Sequence, residues 1–303
     1  MKSLVVGKCS YNFICKVDKT LEPNSFNQLT DVKENAGGFG FDASYLLGKF
    51  GVESYAAGIV GDDTFGSLFR KTLEKVGVQT SGIETAYDKR TLINFYINNV
   101  KEKNYISNDI AKEKIFMKKN EFAVSPDIIL VDGADYSACL GALNTNKNKT
   151  CIVVTGELSQ DVVELCKYGT YIIATREFAE YFNGGKIDLT NAPTLVSGYT
   201  ALAKKFPNKN IIINFEDSGV LYVNNNQIKL MPPIKGEFID KSRSLGVLAA
   251  GFAYGLMQNF DMEKAITFAT IASSLSMTKE GIEGFPDLSD IMPLFKQKYP
   301  DGQ

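Results

Sequence analysis

The chain contains no histidine. That removes Ser-His-Asp and Cys-His catalysis, and nearly every transition-metal site that relies on imidazole. Cysteine is sparse: Cys9, Cys15, Cys139, Cys151 and Cys166 are scattered without a C-x-x-C pair. An odd number so placed argues against a disulfide framework and for buried free thiols. A surplus of positive charge is missing too. The 33 Lys and Arg against 35 Asp and Glu leave a net charge of −2, which gives no basic footprint for nucleic acid. The Lys/Glu-rich stretch 101–121 is mixed in sign and reads as a solvated surface. No apolar run reaches the ~20 residues of a membrane span. The apolar stretch at the start is too short for a signal peptide and breaks at Lys8. The expectation is a cytoplasmic protein with neither nucleic acid nor membrane as partner.

What is present is enough for a large core: 303 residues, 44% of them hydrophobic. Residues 4–7 read as a buried first strand, with 13–17 continuing after Tyr11 and Asn12. A helix is expected over 43–50, stopped by Gly51, then a strand over 52–60. Asp62, Asp63 and Thr64 open another helix that ends near Gly77. Residues 90–98 suit a strand with one covered face, and 127–131, 151–155 and 171–174 are short apolar runs separated by helical patterns such as 158–166. Such alternation argues for an α/β, doubly wound, mostly parallel sheet with helices on both faces. An amphipathic helix over 263–278 and a closing helix over 288–299 complete the chain. No repeat or linker interrupts it, so one domain spans 1–303.

The most informative stretch is 238–256. An extended segment ends at Asp240, a polar turn follows, and a helix apolar nearly all round begins. Ser244 is placed to cap it. Small residues at 249, 250, 251, 253 and 255 suit close backbone packing in a buried interior. The first turn of such a helix favours anions through its unpaired amides.

This stretch resembles the second signature of the ribokinase-like (PfkB) carbohydrate kinases, D-T-x-G-A-G-D-x-F-x-x-G-F. Asp240, Gly251, Phe252, Tyr254 and Gly255 keep its frame. Residues 37–78 resemble the first signature and its sequel, with Gly37-Gly38, Gly61-Asp62-Asp63 and Gly66 in register. The resemblance covers nearly the whole chain. It implies a three-layer ribokinase-like sandwich with a small β lid from about 12–35 and 90–107, the lid often serving dimerisation. The implied activity is transfer of the γ-phosphoryl of Mg-ATP to a hydroxyl of a small-molecule sugar or nucleoside, with a monovalent cation near Asp240 in some members.

On the sugar side the resemblance points to Asn12, Gly37, Gly38 and Asp42. Asn12 stands where the family has Asp, and Asp42 where it has Asn. Both can bond a polyol, and both are residue types that cap turns and helices, so that second role stays open. The transfer side departs from the pattern. Arg243-Ser244-Leu245 replaces the Gly-Ala-Gly anion hole, and Gly246 replaces the catalytic Asp, with no Asp or Glu anywhere in 241–260. Arg243 either neutralises phosphate in place of the lost amides or is a solvated residue at the helix entry. The nucleotide positions Thr175, Glu216 and Gly219 are degenerate, because Thr175 and Phe178 fall on the family's N-x-x-E and Glu216 on its first Gly. A Phe cannot serve a hard cation, and an acid repels phosphate. Two readings follow. One is a pseudokinase that keeps a sugar-type cleft and has an unknown protein partner. The other is an active kinase with a non-standard base, for which Asp240 is the nearest acid in sequence.

Overall fold

The structure is a computed structural model that describes residues 1–99, 103–108, 117–118 and 122–300. Most of the Lys/Glu-rich stretch 101–121 lies outside the described residues. In chain order the elements are β1 (Lys2–Val6), β2 (Ser10–Val17), β3 (Leu29–Gly37), α1 (Phe39–Lys49), β4 (Glu53–Gly61), α2 (Thr64–Glu74), β5 (Gln79–Ala86), β6 (Leu92–Asn98) and β7 (Lys103–Ser107). There follow β8 (Ile128–Val131), α3 (Tyr136–Thr145), β9 (Thr150–Thr155), α4 (Gln160–Leu165), β10 (Tyr171–Thr175), α5 (Arg176–Asn183) and α6 (Ala192–Lys205). The last part holds β11 (Asn210–Asn214), β12 (Val220–Asn224), β13 (Gln227–Met231), α7 (Ser244–Met257), α8 (Met262–Ser276) and α9 (Leu288–Lys298).

A nine-stranded sheet runs β13-β12-β11-β10-β9-β8-β1-β4-β5. It is parallel from β5 to β11, and the β12–β13 hairpin adds an antiparallel edge. Period-2 alternation divides its side chains between two cores. Val5, Ile152, Val154 and Ile212 point to the layer of α1, α2, α7, α8 and α9. Leu4, Val6, Val153 and Ile213 point to the layer of α3 to α6. Strands buried on both faces read as continuous apolar runs, as these do. From β1 the chain first builds outward to β4 and β5, then returns to place β8 on the other flank of β1. This is the switch point of the sheet, outside whose carboxyl ends an open α/β fold holds its ligands.

Above those ends sits a second, four-stranded sheet, the lid sheet, in the order β3-β2-β6-β7. Several expectations shift in detail. Helix α1 begins at Phe39 rather than residue 43, because Gly38 at φ 86° turns the chain sharply after β3. Helix α2 is capped by Asp63 as expected but stops at Glu74. Helix α8 is almost wholly buried and not amphipathic, since it packs along α7. A Cβ at Gly251 would meet Ala269 Cα at 3.0 Å, and one at Gly255 would meet Ala265 Cα at 3.0 Å. All five cysteines are buried free thiols.

Candidate functional site

A cavity of about 300 Å³ lies between the carboxyl ends of β1, β8 and β9, the lid, and the start of α7. Lys8 follows β1, Asp132 follows β8, and Gly156 and Glu157 follow β9. The lid contributes Ser10, Asn12, Asn94, Tyr96 and Tyr105. From α1 come Phe39 and Asp42, with Gly38 before it, and from the α7 entry Ser242, Arg243, Leu245 and Gly246. Three of the sequence-derived sugar-side residues, Asn12, Gly38 and Asp42, thus meet in one cavity with Arg243, Leu245 and Gly246. Gly37 adjoins it: a Cβ there would fall 2.1 Å from Asn12 Nδ2, so only glycine lets the strand pass this side chain.

Neither Asn12 nor Asp42 caps anything. Asn12 is buried in mid-strand, where its Oδ1 accepts from Ser10 Oγ at 3.0 Å and from Asn94 Nδ2 at 2.9 Å. Asn94 Oδ1 in turn accepts from Tyr105 Oη and Ser107 Oγ. That chain of bonds fixes the amide and leaves Nδ2 without an acceptor among the described residues. Asp42 sits in the first turn of α1, which opens from Gly38 with no side-chain cap. Its Oδ1 accepts from Arg243 Nη1 at 2.5 Å, while Oδ2 accepts no hydrogen bond from the described residues. Burial pushes the Asp42 carboxyl upward, and the Arg243 guanidinium beside it pulls it back.

Arg243 overturns the expectation of a solvated helix-entry residue. It is 3% exposed. Besides Asp42, its Nη2 donates to Asn35 Oδ1 and to Ala36 O. The guanidinium lies 5.1 Å from the Phe285 ring centroid and 6.0 Å from that of Phe41. A planar, weakly hydrated cation suits such a slot between rings and acceptors. Its Nε has no acceptor among the described residues. Held this way, the guanidinium spends three of its five N–H donors on Asp42, Asn35 and Ala36, and its charge is balanced by Asp42.

Ser244 is not the cap of α7. The helix begins at Ser244 itself, the preceding position is Arg243 in a helical conformation, and no side chain caps it. The position of the family base is closed by packing: a Cβ at Gly246 would lie 2.6 Å from Asp42 Cβ and 3.5 Å from its Oδ2. Asp240 does not line the cavity. Its Oδ1 accepts from Ser242 N and Oγ and its Oδ2 from Gly281 N, which removes it as the nearest substitute base.

The residues at the nucleotide positions do not fit Mg-ATP. Phe178 has no oxygen and is fully buried, with ring centroids 5.1 Å from Phe182 and 6.1 Å from Phe206. Thr175 caps α5 through a bond from Phe178 N to its Oγ1. Glu216 stands at φ 55° and Gly219 at φ 109°. Gly219 keeps the tight turn, and a Cβ there would meet Met231 O at 2.4 Å. The neighbouring Asp217 pairs with Lys241 of the α7 entry loop.

Sequence reasoning missed Asp132, Asn94, Asn35 and the Lys8–Glu157 pair. Asp132 accepts from Lys8 N and Ala134 N, each at 2.9 Å, and burial raises its carboxyl to about 6. Its signal was available, since a polar residue directly after a central parallel strand belongs to the ligand crevice. Asn94 carried no such mark, because its face depends on how the lid folds back.

Residues 1–287 match the profile of the family described as pfkB family carbohydrate kinase. The ATP-dependent ribose-1-phosphate kinase of Halopiger xanaduensis is 19% identical over 307 residues, covering 99% of both chains. The ribokinase of Bacillus subtilis is 23% identical over 300 residues, 92% of this chain and 94% of its own. Among solved structures, Arabidopsis thaliana ribokinase complexed with ribose and ATP superposes with a TM-score of 0.82 at 16% identity, over 97% of this chain and 98% of that one.

Proposed function

The chain belongs to the pfkB family of carbohydrate kinases, and we propose that it is a member that keeps a cleft for a small sugar or nucleoside but has lost phosphoryl transfer. One observation carries this reading: the Gly246 position, where the resemblance places the base, is packed against Asp42 with no room for a side chain. The neighbouring anion-hole position, Arg243, is turned inward and buried. A general base contributes ~10² to 10⁴ in rate and one oxyanion-type donor ~10² to 10³. Against a typical turnover of ~1 to 100 per second for kinases, losing both leaves a trace at most. The ligand side is different. Asn12 Nδ2 and Asp42 Oδ2 supply a donor and an acceptor for hydroxyls, next to the glycine pair. The Arabidopsis ribokinase with ribose and ATP supports a sugar as the class of occupant.

The test pairs two measurements on the intact chain. A coupled ATPase and sugar-phosphate assay should show no product above background for pentoses, hexoses or nucleosides. A melting screen of the same compounds should show at least one that raises the midpoint, as a ligand selective for the folded state must. Robust sugar-dependent turnover would sink the first half of the proposal, and a flat screen the second.

A second reading, an active phosphotransferase with a non-standard base, is favoured by one feature: the Asp42 carboxylate adjoins the Gly246 position from the side of α1. In that reading Asp42, not Asp240, accepts the hydroxyl proton. Homodimerisation through the lid is proposed as well, supported by the exposure of Leu29, Val32 and Ile106 on its strands.

A further inference from the structure

Five charged side chains line the cavity among the described residues: Lys8, Arg243, Asp42, Asp132 and Glu157. Both cations are already engaged by carboxylates. Lys8 Nζ lies 3.0 Å from Glu157 Oε1, and Arg243 Nη1 lies 2.5 Å from Asp42 Oδ1. Asp132 is 8% exposed and is the carboxylate left over. Its hydrogen bonds come from two backbone amides, which carry partial charge only. Among the described residues the wall therefore holds one more negative charge than positive.

We infer that the cavity takes an uncharged polyol, a free sugar or the sugar of a nucleoside, and rejects phosphorylated and carboxylated sugars, with Asp132 setting the discrimination. This rests on the proposed ligand cleft and names its substrate class. Sequence suggests the opposite, since an arginine beside a helix start is the usual partner of phosphate. The geometry withdraws that partner: Arg243 donates to Asp42, Asn35 and Ala36. A phosphate entering would face Asp132, with the Arg243 charge already balanced by Asp42. At an effective dielectric near 20 and a separation of ~5 Å, one unbalanced unit charge weakens an anion on the order of a hundredfold. A neutral polyol meets no such penalty. Its hydroxyls can donate to Asp42 Oδ2 and accept from Asn12 Nδ2, and each of these side chains is more than nine-tenths buried.

The experiment is calorimetry on the intact chain with matched pairs: ribose and ribose 1-phosphate, fructose and fructose 1-phosphate, glucose and gluconate. The expected result is that the neutral member of at least one pair binds and its anionic partner binds roughly tenfold more weakly or worse. Asp132→Asn should narrow that ratio by about tenfold while moving the neutral ligand less. Because Asp132 is buried and its variant can fail to fold, Glu157→Gln serves as a second probe. Glu157 is 62% exposed in its side chain, and its loss removes one negative charge from the cavity wall, so the ratio should narrow there too. An anionic sugar binding the wild type as tightly as its neutral partner, or a ratio unmoved in both folded variants, overturns the inference and leaves the cleft standing. Binding of neither member of any pair overturns both.

Discussion

Arg243 and Asp42 form a buried ion pair across 201 positions of sequence, with Nη1 2.5 Å from Oδ1. The pair joins the entry of α7 to the first turn of α1. It commits the residue at the anion-hole position to the interior and leaves only Oδ2 of the residue at the sugar position facing the cleft without a partner among the described residues. The contact also explains why Gly246 must be glycine: Asp42, drawn toward Arg243, fills the space above it.

Gly246→Asp should therefore fail as a restoration. Overpacking against Asp42 Cβ should cost about 1–3 kcal/mol of stability, and no sugar phosphate should form. Adding Asp42→Gly removes the atom in the way, so the double variant should be more stable than the two single losses added together. Thermal melts of the four proteins check this, and strict additivity would contradict it.

Arg243→Met removes one partner of a buried pair and strands the Asp42 carboxylate. The expected loss is about 3–5 kcal/mol. Combining it with Asp42→Asn should recover a large part, because the uncompensated charge is gone. Urea unfolding of the cycle measures the coupling; a loss below about 1 kcal/mol for Arg243→Met would mean that the pair is not formed in solution.

The Asp132 carboxyl is raised to about 6, chiefly by burial and against the pull of its two backbone bonds. A raised acid holds its proton in the folded state at pH values where the unfolded chain has lost it. Stability from this group is therefore full below about 4 and falls as pH rises to about 6, by at most about 3 kcal/mol. Subtracting the pH–stability curve of Asp132→Asn from that of the wild type should expose a decline across this window. A difference curve that is flat, or that rises, would refute the assignment.

Mg-ATP should bind weakly, with no saturation below about 1 mM in calorimetry. A micromolar constant would show that the nucleotide binds in spite of Phe178 and Glu216. Phe178→Glu by itself should not help, because it buries an acid among Phe182 and Phe206. Its expected signature is a fall in melting temperature with no gain in nucleotide affinity.

Much of the fold was legible because its signals are local. Buried parallel strands show as apolar runs, Asp63 before its helix shows as a cap, and the spacing from Gly37 to Gly66 marks the β3-α1-β4-α2 unit. Boundaries slipped where a glycine with positive φ turned the chain early, as at Gly38 before α1. The site was half legible. Gly38, Asn12 and Asp42, gathered by the family register, line one cavity. Asp132 was overlooked because the strand order that sets β8 beside β1 is not a local property.

The sequence by itself determined the alternation of elements, the buried α7, the absence of imidazole chemistry, and the missing acid at 246. Each of these depends on residue identity and near-neighbour spacing. Only the tertiary structure decided what Arg243 does. On sequence alone it was a phosphate ligand or a solvated side chain, yet it is 3% exposed between two aromatic rings, held by Asp42, Asn35 and Ala36. A long, flexible cation takes the partner that the packing of distant segments brings within reach. Which segments those are is set when the lid strand β3, helix α1 and helix α7 close around a common core.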